Sequence, residues 1–132
     1  MANPKMTGAW FAKAAKDLRT AKVLVDLDDT FLEPTAYHAQ QCVEKVIKGF
    51  LVFHEIKFER THIIGELSKK AYKVNPDLKR ILDPAKDFGD FVLLHRYPDA
   101  TPRGELTKDV VLSAVKVAED IYEELRKLVN LP

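Results

Sequence analysis

Between Tyr37 and Lys48 the chain carries a tyrosine, a histidine, two glutamines, a glutamate and two lysines. On a helix the spacing gathers Tyr37, His38, Gln41, Glu44, Lys45 and Lys48 on one side and leaves the apolar residues on the other. Lys45 and Lys48, one turn apart, present two cations suited to a polyphosphate. Gln41, one turn earlier, offers an amide to a base or ribose. Further along, Arg96-Tyr97-Pro98 joins a forked phosphate donor to a ring that can stack on a base, on a stiffened loop. Tyr37 supplies a second stacking ring, and His62 follows Thr61 at a predicted helix start. The candidate nucleotide-binding residues are therefore Tyr37, Gln41, Lys45, Lys48, His62, Arg96 and Tyr97.

Each candidate also has a purely structural role open to it. Glu44 and Lys48 pair at the i,i+4 spacing, worth ~0.2–0.5 kcal/mol on an exposed helix face. His62 can serve the helix start alone, and Arg96 can cap the carbonyls of the helix before it. Other chemistries find little support. His38 and Cys42 have a chelating i,i+4 spacing, but two ligands are too few for a stable zinc site, so neither metal nor cofactor is expected. Ser68 and Ser113 lack a nucleophile elbow, and the chain has no glycine-rich phosphate loop. No catalytic residue is assigned.

The 132 residues, 46% hydrophobic and 31% charged, suit one compact domain spanning 1–132. A formal charge of +1, from 21 basic against 20 acidic residues, argues against a broad electrostatic sheath for nucleic acid or anionic membrane. Any anion site must be local. The single cysteine, Cys42, cannot form an internal disulfide and fits a reducing cytoplasm. The first residues do not read as a signal peptide, and no segment approaches the ~20 apolar residues of a membrane span.

Five glycines and a three-to-four residue apolar repeat predict helices nearly throughout. A first helix over about 7–27 buries Phe11, Ala14, Leu18, Ala21 and Val25, with Trp10 at its rim. The acidic stretch 26–29 ends it, because carboxylates oppose the dipole at a helix C-terminus. A second, from Pro34 to about His54, buries Ala36, Ala39, Val43, Val46, Ile47, Phe50 and Leu51. Thr61 is expected to cap a third over about 61–73, carrying Ile64, Leu67 and Ala71 inward. Asn75-Pro76 and Asp83-Pro84 each mark a restart or kink, so helix up to about His95 is expected to be broken. A loop covers 96–105. The last helix, over about 107–129, buries Val111, Ala114, Val115, Ala118, Ile121, Leu125 and Leu128, while Val110 and Val117 suggest self-association. The fold class is all-α: an up-and-down four-helix bundle with an interrupted third helix, about five helical segments in all.

Several of these residues together resemble the HEPN superfamily. They are Trp10 with Asp17-Leu18 and Ala21, His38-Ala39-Gln40-Gln41 followed by Glu44-Lys45 and Lys48, Thr61-His62, and Arg96-Tyr97-Pro98-Asp99. The chain looks like the prokaryotic, nucleotidyltransferase-associated branch. The resemblance implies a helical bundle that associates with nucleotide, partners a minimal nucleotidyltransferase as its substrate-binding subunit, forms a homodimer and stands in a toxin–antitoxin setting. Many members are instead metal-independent ribonucleases with an Arg followed after four to six residues by His. Here Thr101, Pro102 and Arg103 fall at those positions after Arg96, and the last histidine is His95. Such cleavage needs a proton-transfer group able to titrate near neutrality. A variant ribonuclease built on His95 and Arg96, and a dimeric interaction module without small ligand, are the alternatives.

Overall fold

The computed structural model describes the backbone over 3–95 and 106–130, and side chains over 3–86 and 106–130. Five α-helices follow one another: α1 (Pro4–Val25), α2 (Leu32–Phe53), α3 (Ile64–Val74), α4 (Leu78–His95) and α5 (Lys108–Leu128), with one 3₁₀ turn (Asp29–Phe31) before α2. No strand occurs among the described residues. The all-α class and the division into about five helical segments agree with the sequence. Among the described residues no helix is long and apolar enough to cross a membrane.

α1 begins earlier than the periodicity suggests, because Asn3 accepts a hydrogen bond from the Met6 amide at 3.1 Å and Pro4 occupies the first turn. Asp28 accepts from the Thr30 amide at 2.9 Å and shapes the 3₁₀ turn that feeds α2. Pro34 sits in the first turn of α2, where its missing N–H costs no helical bond.

α1 and α2 form an antiparallel hairpin, with Phe11 and Trp10 against Gly49 near one end and Asp17 against Lys45 further along. α2 packs against all four other helices and is the axis of the molecule. The main core joins Phe11, Leu18, Val43, Ile47, Phe50 and Leu51 to Leu67, Leu82, Ile121 and Leu125. A smaller cluster of Val25, Ala36 and Val111 closes the other end. Leu128, expected inside, is 40% exposed, because Leu125 and Val129, one turn apart, take the inward positions and are fully buried.

α2 ends in a paired cap. The Ile56 amide donates to the Leu51 carbonyl at 2.9 Å and the Glu55 amide to Val52 at 3.1 Å, with Glu55 itself at φ 58°. The turn sends the chain back along α2. Thr61 does not cap α3: its hydroxyl accepts from the Ile63 amide at 3.1 Å, and the helix begins only at Ile64.

The helix does not restart at Asp83-Pro84, and Pro84 lies inside a continuous α4. A proline there costs roughly 3 kcal/mol in lost bonding and crowding. Leu82 and Ala85, both fully buried, hold the backbone on either side of it. Tyr72 of α3 donates to Asp83 at 2.6 Å, and burial, together with this partnership, pushes the phenol up to about 12. The restart at Asn75-Pro76 does occur, with Asn75 accepting from the Asp77 amide at 3.1 Å.

Two glycines report the tightness of the hairpin. A Cβ on Gly49 would lie 2.8 and 2.9 Å from the Phe11 ring and 3.0 Å from Trp10 Cβ, whereas one on Gly8 meets nothing within 4 Å. Gly49→Ala therefore destabilises the fold, since overpacking of about 1–3 kcal/mol exceeds the ~1 kcal/mol gained in helix propensity. Gly8→Ala stabilises it by about 0.5–1 kcal/mol. Urea unfolding of both variants checks the opposite signs.

Candidate functional site

The polar row of α2 does not face solvent as a stripe. It turns into two seams, each built around one carboxylate. Asp17 of α1 occupies the stripe that also carries Ala14, Leu18 and Ala21, and it is buried. Two α2 side chains reach it: His38 donates from Nδ1 to Oδ1 at 2.9 Å, and Lys45 Nζ lies 2.5 Å from Oδ2. The residues at 38 and 45 are seven apart, two turns of one face, so a single carboxylate from the neighbouring helix can hold both. His38 and Lys45 remain half-buried at the surface.

Glu44 forms the second seam. Its side chain is 3% exposed, and Lys48, at 8%, donates to it at 3.0 Å. His62, carried back by the turn at Glu55, places Nδ1 at 3.0 and 3.1 Å from the two carboxylate oxygens while most of its ring stays exposed. The Lys48 ammonium lies 5.5 Å from the Trp10 ring centre and 6.0 Å from that of Phe58, and those rings meet edge-on at 6.5 Å. The cation thus has a carboxylate on one side and two π faces on the other.

Of the seven candidate residues, the structure brings Lys45 and Tyr37 close to His38, and ties Lys48 and His62 together through Glu44. Tyr37 meets His38 edge-on at 5.6 Å. Both line a hollow of about 480 Å³ with Thr30, Glu33 and Pro34. Gln41 is half-buried between the seams. Lys48, read as a cation offered outward, is buried in its ion pair, because Trp10 of α1 and Phe58 of the returning loop cover it. Arg96 and Tyr97 lie outside the described residues, as does the side chain of His95.

Asp17, Glu44 and His38 are the members that the candidate set lacked. The signal for Asp17 was present: an acidic residue within an apolar helical stripe must meet a partner, and α2 is the adjacent helix. Cys42 does not join His38 as a chelating pair. It is fully buried, and burial, assisted by the Asp17 charge, pushes its thiol up to about 12, which leaves it an inert core residue. Among the described residues no group of three or more His, Cys, Asp or Glu side chains could hold a metal ion.

Isosteric neutralisation separates the two seams. Glu44→Gln leaves the Lys48 ammonium buried without its counter-ion and costs about 3–5 kcal/mol. Asp17→Asn costs less, about 1.5–3 kcal/mol, because Lys45 is already near water and can turn outward. Equal losses in denaturant unfolding would contradict the assignment of Glu44 as the more deeply committed carboxylate.

The family model described as HEPN domain matches residues 7–128. A protein of Methanocaldococcus jannaschii (strain ATCC 43067 / DSM 2661 / JAL-1 / JCM 10045 / NBRC 100440) named "Putative toxin MJ1304" is 27% identical over 136 aligned positions, covering 94% of this chain and 88% of its own length. No solved structure matches the chain. With the match running from the first turns of α1 to the end of α5, the chain belongs to the HEPN domain family.

Proposed function

We propose that this protein is a nucleotide-binding HEPN accessory protein, acting in the cytoplasm as the substrate-binding partner of a minimal nucleotidyltransferase in a toxin–antitoxin setting. Family membership supports the class, and the archaeal relative, by its name a toxin candidate, supports the setting. One observation carries the nucleotide reading: a cation, an imidazole and an aromatic ring come together at the surface of α2. Lys45 keeps 23% of its side chain exposed and shares Asp17 with His38, whose ring abuts Tyr37.

In this reading Lys45 contacts phosphate, Tyr37 stacks on the base and Gln41 hydrogen-bonds the sugar. Lys48 works from behind, fixing Glu44 and through it His62, which meets the ligand at its exposed edge. Arg96 and Tyr97 supply further phosphate and stacking contacts. Asp17 already engages Lys45, so a phosphate must share the ammonium with a carboxylate, and affinity is moderate. Self-association belongs to the same proposal, with Val110, Leu112 and Leu128 exposing apolar side chains along α5.

Titration with a panel of nucleoside mono- and triphosphates tests the reading. Lys45→Ala and Arg96→Ala each weaken binding roughly tenfold or more, the worth of one charge-assisted hydrogen bond. Unchanged affinity in both variants removes these residues, and light scattering on the same samples reads the dimer mass.

The toxin name of the relative favours one second reading, a metal-independent ribonuclease using His95 and Arg96. It predicts RNA cleavage in the presence of chelator that disappears in His95→Ala. Intact RNA after incubation with the unaltered protein eliminates it.

A further inference from the structure

The hollow beside Tyr37 has a polarity that phosphate binding does not explain. Its lining residues, Thr30, Glu33, Pro34, Tyr37 and His38, border an open depression of about 480 Å³ between the 3₁₀ turn and the first two turns of α2. The Pro34 ring and the Tyr37 phenol are its two rings besides His38. Its polar groups are a carboxylate, an imidazole and the Thr30 and Tyr37 hydroxyls, and either hydroxyl can donate or accept. Glu33 is an exposed carboxylate and can only accept.

His38 is fixed by a group outside the hollow. A carboxylate cannot donate, so the 2.9 Å contact with Asp17 requires the proton on Nδ1, which in the neutral imidazole leaves Nε2 as an acceptor. Glu33 adds a negative charge to the lining. The hollow therefore disfavours an anionic group and suits a flat ring that brings N–H donors.

Among the nucleobases this condition is selective. Guanine presents N1–H and the N2 amine side by side, a pair of donors that one carboxylate can accept together. Adenine and cytosine set a single amine beside a ring-nitrogen lone pair, and uracil flanks its one N–H with two carbonyls, so each turns at least one acceptor toward the carboxylate.

We propose that this hollow is a guanine subsite in which Glu33 accepts from N1–H and the N2 amine, Tyr37 stacks on the ring, and His38, oriented by Asp17, accepts from the sugar or a further base donor. The inference rests on the nucleotide-binding reading and adds the base to it. The phosphate end falls to Lys45, whose ammonium lies on the other oxygen of the same Asp17.

Calorimetric titration of the full chain with GMP, IMP and AMP, repeated on Glu33→Gln, tests the subsite. Glu33 is exposed and outside the core, so the variant keeps its fold, which circular dichroism verifies. GMP is expected to bind roughly tenfold or more tightly than AMP, with IMP, which lacks the N2 amine, in between. Glu33→Gln is expected to remove or reverse the preference, weakening GMP and holding or strengthening AMP, because an amide presents one donor and one acceptor and so matches the adenine edge. Equal binding of the three nucleotides, or a guanine preference that survives Glu33→Gln, overturns the subsite and leaves the nucleotide reading standing. Absence of binding by all three, in protein that is folded, overturns both.

Discussion

Two carboxylates buried at the seams of α2 set the terms for the rest of the molecule. An ionised side chain removed from water costs several kcal/mol unless cations and donors replace its hydration. Asp17 and Glu44 solve this in parallel ways, each taking one lysine and one histidine Nδ1. Adjacent positions on α2 point about 100° apart. Lys45 therefore reaches back to α1, while Glu44 beside it turns toward the loop that precedes α3. One short stretch of one helix fastens two neighbouring elements through charge.

The arrangement asks for exact placement of the backbone around it. Gly49 lets the Phe11 and Trp10 side chains press against α2, and Trp10 then forms one wall of the Lys48 pocket. Glu55, in the left-handed region, reverses the chain so that Phe58 supplies the other wall and His62 returns to Glu44. Replacing such ion pairs with well-packed apolar residues is often neutral or stabilising. What they fix here is orientation: each imidazole is held by its Nδ1 against a carboxylate.

Much of the fold was legible because it rests on local periodicity. The apolar positions of α1, α2, α3 and α5 repeat every three to four residues, and nearly all of those expected inside are buried. Helix ends were less legible. Asn3 and Thr107 cap by side-chain oxygens, but Thr61 spends its oxygen on a turn one step upstream of α3. Pro84 reads as a break from its local chemistry, and only tertiary burial on both sides keeps α4 continuous. The site was half legible for the same reason. Its α2 members share a face and announce themselves by spacing, whereas the pairing of Lys45 with Asp17 and of Glu44 with His62 joins residues 28 and 18 positions apart. A polar row on a helix states which groups are available, and the neighbouring elements decide which of them reach water.

Charge balance within the seams constrains the kind of recognition this surface can perform. Asp17 cancels Lys45 and Glu44 cancels Lys48, so the row carries two cations and two anions and projects little field beyond a Debye length, about 8 Å at physiological ionic strength. The whole chain, at a formal charge of +1, adds no steering of its own. Long-range attraction to a polyanion is therefore weak, and discrimination has to come from contacts made within hydrogen-bonding distance. Fixed donors and acceptors are what such a surface can supply: an imidazole whose tautomer a buried carboxylate sets, an ammonium held at one oxygen of that carboxylate, and flat rings beside them. A flexible pair of lysines on a solvated helix would bind anions with less geometric demand. Burying their counter-ions exchanges strength of attraction for a defined shape.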